Sequence, residues 1–534
     1  MTAPPTGPAA PSSTGDAPAP VTPRRPRTLL EFVRAVVALV RALLARPLAD
    51  YYLLISSTAL LLILGLMMVY SATSVAQFGA SGSAVVSVQR QAISAGVGLV
   101  AFWLCQRLPV QTWRVLARPG LLLAFFLVGA LDVLALLADA DVLANPSIGP
   151  LRADELWLYL GPLQVQPSEL AKLALAVWAA DVLVRKGEKI GVFRELARPL
   201  FPVAGLLFVA VGYNDLGTMA CLFVLFVGLL WAAGVRLRIF LGMLVVGLLG
   251  VAALVLLPGA EYRLERVRAF LHPELYAQSD AYQVQQGFAA IAGGGWFGVG
   301  LGEGRLKWGW LPNGHNDFIF AVIAEELGVV GCLVVLALFA VLAFTGLRIA
   351  RRCTNPYRRL VAAGVTSLIA GQATINIAGV VGLAPVTGLP LPLISDGGSS
   401  LVVTLAMVGI LASFARAEPA AAMALHARPP GKLARLLWAP LPPLPLPVSA
   451  VQRDRTTAAD RLESDATGPA ARPSDDSALS DGARGDRARG DWAPSDWART
   501  DRAPSDRART DQRAWPEDRD RPRGRSRRGY DQEG

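Results

Sequence analysis

One stretch of the sequence, LPNGHNDFIFAVIAEELG (311–328), combines ionisable side chains with the apolar pattern of a membrane helix. Asp317 stands at the start of the apolar run, and Glu325 and Glu326 lie inside it. An aspartate in such a position can take a proton from a reacting group as a general base. It can also cap the helix, a role that suits Asn316 equally well. The residues alone leave both roles open for Asp317.

A second apolar run, QPSELAKLAL (166–175), also contains an acid and a base. Glu169 and Lys172 are three residues apart and so share one face of a helix. Ionisable side chains inside a membrane segment face the protein interior and are candidate functional groups. Since Glu325 lies about 12 Å along its helix from the polar boundary, Lys172 is a candidate partner for Glu325 or Glu326. A purely structural ion pair explains these groups equally well.

A third polar region, GLAPVTGLPLPLISDGGSSL (382–401), separates two apolar runs. Its proline and glycine spacing is incompatible with a regular helix. Irregular backbone at membrane depth must line a cavity or the membrane surface, because its polar groups need partners. Ser395 and Ser399 lie in this region and are candidate contacts for a ligand.

Membrane helices are the elements that must position these residues. Of the 534 residues, 53% are hydrophobic, which is more than a typical soluble domain contains. Crossing the bilayer core takes about 20 apolar residues. The sequence has about ten runs of roughly this length, at 53–70, 92–106, 120–138, 168–184, 198–213, 216–234, 237–257, 317–347, 360–383 and 398–415.

Basic residues cluster before the first run and in alternate connections, which is typical of cytoplasmic segments. The pattern predicts an all-α polytopic membrane protein with about ten transmembrane helices and both termini in the cytoplasm. It also accounts for the net charge of +10 without a nucleic-acid partner.

Three regions follow from this topology. Residues 1–49 form a cytoplasmic head, predicted to be disordered at first and then to form an interfacial helix over 28–47. Residues 50–417 form the transmembrane core. Residues 418–534 form a cytoplasmic tail whose Asp- and Arg-rich composition predicts disorder from about residue 451.

The long connection at 258–316 is predicted to be extracytoplasmic, yet it carries several cations. These are Arg263, Arg266, Arg268, Arg305 and Lys307. Cations placed against the usual charge bias indicate an anionic ligand. The alternative is that long loops cross the membrane whatever their charge.

Several blocks of this sequence together resemble the SEDS family of ten-span cell-wall polymerases, which includes FtsW, RodA and SpoVE. The blocks are QPSELAKLAL (166–175), DLGT (215–218), YRLERVRAFLHP (262–273), YQVQQ (282–286), GVGLGEGRLKWGWLPNGHNDFIFAVIAEELG (298–328) and PVTGLPLPLIS (385–395). Within the family the chain is most similar to the division branch, FtsW. The resemblance implies the SEDS fold and a peptidoglycan glycosyltransferase that polymerises lipid II during septal wall synthesis.

The resemblance also implies roles for individual residues. Asp317 corresponds to the family's catalytic aspartate. The candidate substrate-binding residues are Arg263, Arg266, Gln283, Gln286, Lys307, His315, Glu169, Lys172, Ser395 and Ser399. The implied partners are lipid II, a class B penicillin-binding protein that acts as transpeptidase, other division proteins and the membrane. No cofactor is required by the motifs, although a divalent cation, Mg²⁺ or Mn²⁺, would suit a diphosphate leaving group. The implied location is the bacterial plasma membrane at the division septum.

The chain departs from the family pattern at a few positions. Asp396 stands where the family usually has Tyr, Leu156 stands where an Arg is usual before a Trp, and Asn214 replaces a Pro. Two other functions stay open. One is a flippase that carries lipid II across the bilayer, because ten spans with buried charge suit a carrier equally well. The other is a non-catalytic division scaffold, which the long tail and the departures at Leu156 and Asp396 favour.

Overall fold

The structure is a computed structural model of the chain. It describes residues 29–81, 86–139, 147–148, 151–154, 156–160, 163–255, 264–265, 268, 270–272, 280–305, 308, 310–312 and 314–444. The predictions of disorder for residues 1–27 and beyond residue 451 fall outside this part of the chain.

Helices make up most of the described chain. In chain order they are α1 Leu29–Leu44, α2 Ala49–Ser81, α3 Val86–Arg107, α4 Val110–Asp139, α5 Pro167–Lys186, α6 Phe193–Asn214, α7 Leu216–Ala232, α8 Leu237–Val255, α9 Asp280–Gly294, α10 Ile319–Arg352, α11 Pro356–Val380, α12 Gly398–Arg416, α13 Pro419–Ala427 and α14 Lys432–Leu437. The helix α1 coincides with the segment predicted to lie at the membrane interface.

Each of the ten predicted spans coincides with one of these helices. Among the described residues, six helices are long and apolar enough to cross a membrane, namely α2, α4, α6, α10, α11 and α12. Two further apolar helices, α7 and α8, are shorter. The chain is a multi-pass membrane protein, while the total of ten spans and the orientation of the termini stay predictions.

Short local signals set where several helices begin. Proline occupies the first position of α5 and of α11, where its missing N–H costs no hydrogen bond. The DLGT block (215–218) is a helix cap, since the Asp215 carboxylate accepts a hydrogen bond from the Thr218 amide at 2.8 Å.

A four-stranded antiparallel sheet connects α4 to α5 and was not predicted. Its strands are β1 Ser147–Ile148, β2 Leu151–Asp154, β3 Trp157–Leu160 and β4 Leu163–Val165, paired in sequence order. Ala153 and Leu158 are each 4% exposed and pack with Leu131 and Leu134 of α4. The sheet thus has a small apolar core of its own.

The transmembrane helices form one core of buried apolar side chains. The helix α3 packs along α12, α2 along α10, α4 along α5 and α7 along α11. Close approach of α3 and α12 depends on a small residue, because a Cβ on Gly409 would overlap the Phe102 backbone. Short side chains allow membrane helices to gain packing contacts that lipid cannot supply.

Hydrogen bonds between helix ends define two faces of the bundle. Gln166, before α5, donates its amide to Ser399 Oγ of α12, so these two helices begin on the same side. Asp317 lies just before α10 on that side, which we call the site face. The opposite face carries the last residues of α5, α10 and α12, where Asp50 of α2 contacts Arg348 Nε at 3.1 Å and Arg352 at 3.3 Å.

Candidate functional site on the site face

Asp317 lies in the turn that leads into α10. It is 7% exposed, and the apolar residues that follow, Phe318 and Ile319, are fully buried and fix the turn in the core. The N-terminal capping residue of α10 is Phe318, whose side chain forms no capping hydrogen bond. The N-cap position considered for Asp317 or Asn316 is thus occupied by Phe318.

The loop at 385–397 binds the turn that carries Asp317. Ser395 Oγ donates a hydrogen bond to the Asn316 carbonyl at 2.6 Å, and the Asp396 amide donates to the His315 carbonyl at 3.0 Å. Ser395 Oγ also accepts from the Leu391 amide at 2.7 Å. Ser395, predicted as a ligand contact, is buried and in this structure positions the turn.

Asn376 of α11 joins the same turn to the same loop. Its Nδ2 donates to the Asp317 carbonyl and to the Leu389 carbonyl, both at 2.7 Å. Asn376 is 4% exposed, so it satisfies two carbonyls away from water. The main chain of Asp317 is therefore held independently of its carboxylate.

A buried ion pair supports the same loop. Lys172 Nζ lies 2.6 Å from Glu169 Oε1, and both residues are at most 1% exposed. Lys172 also donates to Gln372 Oε1 at 3.1 Å, and Gln372 Nε2 donates to the Pro390 carbonyl at 2.9 Å. The prediction that these residues share a helix face is confirmed, and their described contacts run to the loop.

The prediction that Lys172 pairs with Glu325 or Glu326 is wrong. Glu325 Oε1 accepts from the Arg305 amide at 2.8 Å, and Glu326 accepts from Ser71 Oγ at 2.7 Å. Position along one helix does not give the direction in which a side chain points, and these two carboxylates point to the segment that follows α9.

The glycine-rich segment 294–304 lies directly against the first turns of α10. The Gly302 amide donates to Glu326 Oε2 at 3.1 Å, and the Val299 amide donates to the Glu325 carbonyl at 3.0 Å. Gly298 has a φ of 79°, and a Cβ there would overlap the Glu326 carbonyl. Glycine at this position permits both the backbone conformation and the close approach.

Asp396 adds a second carboxyl group beside the turn. Burial raises its pKa above the usual value, while His315 and Arg90 lower it in part. Asp396 follows Ser395 directly, so the residue that departs from the family pattern lies where the loop contacts the Asp317 turn.

The two other departures from the family pattern lie together. Leu156 and Asn214 line one small cavity with Asp132 and Ser168. Asn214 Nδ2 donates to Asp132 Oδ1 at 2.6 Å. Arg152, four residues before Leu156, is exposed on β2.

The remaining predicted site residues do not form one cluster among the described residues. Ser399 bonds the Gln166 amide at 3.3 Å, and Gln283 Nε2 donates to the Pro312 carbonyl at 3.0 Å. Gln286 is half-buried on α9. The other three candidate substrate-binding residues, the cations Arg263, Arg266 and Lys307, lie outside the described residues.

Sequence reasoning missed Gln372 and Asn376. They are one helical turn apart in the apolar run of α11, and both donate to carbonyls of the 385–397 loop. Two amides at this spacing share a helix face. That spacing was the available signal for a polar contact inside the bundle.

Within the described part of the chain, no group of three His, Cys, Asp or Glu residues could hold a metal ion. Assistance by Mg²⁺ or Mn²⁺ stays a prediction.

Comparison with known proteins identifies the family. The sequence profile of the FtsW/RodA/SpoVE group, described as cell cycle proteins, matches residues 51–419. The chain belongs to the FtsW/RodA/SpoVE family. The matched range covers the helices α2 to α12 and every residue of the site described above.

Relatives with curated names support the same family. A probable peptidoglycan glycosyltransferase FtsW of Mycobacterium tuberculosis is 43% identical over 407 residues, covering 76% of this chain and 75% of that protein. The stage V sporulation protein E of Bacillus subtilis is 37% identical over 368 residues, covering 68% of this chain and 96% of that protein.

A solved structure of this family shows a similar fold. A chain from a peptidoglycan synthase complex that coordinates polymerization and crosslinking matches with a TM-score of 0.52 and 29% sequence identity. The match covers 70% of this chain and 98% of that chain.

Proposed function

We propose that this protein is a peptidoglycan glycosyltransferase that polymerises lipid II into glycan strands during septal wall synthesis, with Asp317 as the general base. The observation that carries the proposal is the position of Asp317. It lies on the site face beside the 385–397 loop, its main chain is held by Asn376, and Phe318 rather than Asp317 occupies the N-cap position of α10. FtsW relatives of this chain are named peptidoglycan glycosyltransferases.

The reaction requires a proton acceptor and charge stabilisation. The hydroxyl oxygen of the acceptor sugar forms a bond to the anomeric carbon of the donor, and the bond from that carbon to the diphosphate oxygen breaks. Asp317 accepts the hydroxyl proton as the new bond forms. The diphosphate leaves with the bonding electron pair, and cations stabilise its charge.

The cations that stabilise the leaving diphosphate are also part of this proposal. Arg263, Arg266 and Lys307 fill this role best among the candidates, because the predicted loop carries them to the site face. Lys172 suits it less well, since it is fully buried and bonded to Glu169. Lys172 instead supports the loop through Gln372.

The proposed partner is a class B penicillin-binding protein that crosslinks the new strands, and the proposed location is the division septum. The support is the match to a chain of a peptidoglycan synthase complex. Co-purification with the partner and imaging of a fluorescent fusion in dividing cells test these two points.

The main experiment measures glycan synthesis from labelled lipid II by the purified chain, alone and with its penicillin-binding protein. Asp317→Asn should lower polymer formation by at least about 100-fold, because an amide does not accept the proton. Its thermal unfolding midpoint should not change, because the Asn376 bond involves only the main chain.

The matched control is Glu303→Gln, which alters an exposed carboxylate in the neighbouring glycine-rich segment and should leave synthesis unchanged. Polymer that depends on Asp317 excludes both a lipid II flippase and a non-catalytic scaffold. Full activity of the Asn variant would refute the base assignment, and absence of polymer from the wild-type pair would refute the enzyme assignment.

A further inference from the structure

A segment near the end of the described chain, residues 432–444, is bound to the opposite face of the bundle. The Trp438 indole N–H donates to the Tyr51 hydroxyl, and Arg416 donates to the Pro440 carbonyl at 3.1 Å. Gln106 Nε2 donates to the Trp438 carbonyl at 3.4 Å. Since Tyr51 begins α2 and Arg416 ends α12, the segment lies at the ends of two membrane-crossing helices.

Binding of this segment creates a basic recess. The recess has a volume of about 400 Å³ and is lined by Arg107, Lys432, Arg435, Leu436, Pro440 and Leu441. Arg107 is fixed in place, because its guanidinium donates to the Leu436 carbonyl and lies 4.6 Å from the centroid of the Trp103 ring.

The cations of this recess are not neutralised by the part of the protein that the structure describes. No described carboxylate lies within 4.0 Å of the basic nitrogens of Arg107, Lys432 or Arg435. Arg435 Nε is buried and has no hydrogen-bond partner among the described atoms. A buried donor of this kind costs free energy unless it receives an acceptor, so the recess favours an anionic ligand.

Apolar side chains border the recess. Leu433, Leu436 and Leu437 of α14 are 71%, 67% and 63% exposed. Three cations beside three exposed leucines match a ligand that has an anionic head and an apolar body. The position at the ends of α2 and α12 places the recess at the membrane border, where lipids are within reach.

We propose that the recess formed by Arg107, Lys432 and Arg435 binds the headgroup of an anionic phospholipid. The basic connections predict that this face is cytoplasmic, so the lipid belongs to the inner leaflet. Basic side chains next to a membrane span attract anionic lipids. The bound lipid fixes the 432–444 segment to the bundle and lies on the face opposite Asp317.

The test uses the full-length protein in neutral detergent and measures retained lipid by native mass spectrometry. The probes are phosphatidylglycerol and phosphatidylcholine with identical acyl chains. The wild-type protein should retain phosphatidylglycerol in preference to phosphatidylcholine. The double variant Lys432→Gln and Arg435→Gln should bind it about 30-fold more weakly, the loss expected for two basic groups at an anionic surface.

The matched control is the double variant Arg351→Gln and Arg359→Gln. It removes two exposed arginines, one from the last turn of α10 and one from the first turn of α11, on the same face and should keep the preference. Lys432→Gln alone changes an exposed side chain and should lose about fivefold, which keeps the test valid if the double variant folds poorly.

Three outcomes would overturn the proposal. One is equal retention of the two lipids by wild type, and a second is equal loss in the recess and control variants. The third is photo-crosslinking from position 436 to residues beyond 444 while phosphatidylglycerol is present, since the recess would then hold the tail of this chain.

Discussion

The two ends of α5 carry the same kind of ion pair in different surroundings. On the site face, Lys172 and Glu169 are 2.6 Å apart, and their side chains are 0% and 1% exposed. On the opposite face, Arg185 and Asp181 are 2.7 Å apart, but the arginine side chain is 51% exposed. The distances are nearly equal, so burial of the cation decides what each pair contributes. An exposed cation retains water, whereas a buried one depends on its partner.

Replacing the cation at each end of α5 tests this comparison most directly. Lys172→Met leaves the Glu169 charge buried and should lower stability by about 3–5 kcal/mol. Arg185→Met should cost less than about 1 kcal/mol, because Arg114 still contacts Asp181 at 2.8 Å. Folded yield by size-exclusion chromatography and the thermal unfolding midpoint measure both effects. Equal losses would show that burial does not distinguish the two ends.

The sequence predicted only the local part of the arrangement around Lys172. The spacing of Glu169 and Lys172 placed them on one face of a helix, because that relation is local. Their bond to Gln372 joins residues that are 200 positions apart, and no local pattern reports such a contact. For the same reason the sequence predicted that Glu325 and Glu326 are buried but led to the wrong partner.

Other parts of the fold were likewise predicted where they depend on one segment and missed where they do not. The apolar runs predicted where the long helices lie, since length and hydrophobicity are properties of one segment. The sheet at 147–165 was missed because its strands are two to four residues long, too short for a clear alternating pattern. Docking of Trp438 onto Tyr51 was missed because the contact spans most of the chain.

Removal of a neutral hydrogen-bond donor on the site face should have an intermediate effect on stability. Asn376→Leu removes the donor shared by the Asp317 and Leu389 carbonyls and should cost about 1–3 kcal/mol of stability. Because the turn then shifts, glycan synthesis should fall by up to about 100-fold, in kcat more than in KM.

Thr374→Val is the matched control for Asn376→Leu. Thr374 is exposed on the same helix and bonds only the Ala370 carbonyl one turn earlier. This variant should leave both stability and kcat nearly unchanged. If the two variants behave alike, Asn376 does not position the Asp317 turn.

Replacement of Asp396 should have the smallest effect on stability, and this effect should depend on pH. Burial raises its pKa in the folded protein above the value near 3.9 expected when unfolded. The folded state therefore binds this proton more tightly, and stability is lost as pH rises from the unfolded to the folded pKa. Asp396→Asn removes this loss, so its unfolding midpoint should exceed that of wild type at pH 8 and approach it at pH 4. A constant difference across this range would contradict the assignment.

The break in α10 changes how much of this helix the bilayer must accommodate. The helix has 34 residues, about 51 Å at the usual rise, but Gly328 interrupts it with a φ of 68° and a ψ of −166°. Residues 329–352 alone extend about 36 Å, close to a hydrocarbon core of about 30 Å with a modest tilt. We therefore expect Glu325 and Glu326 to precede the hydrophobic slab rather than to lie within it. A segment whose sequence predicts one long span with carboxylates inside is better described as a short helix buried in the protein, followed by a span of ordinary thickness.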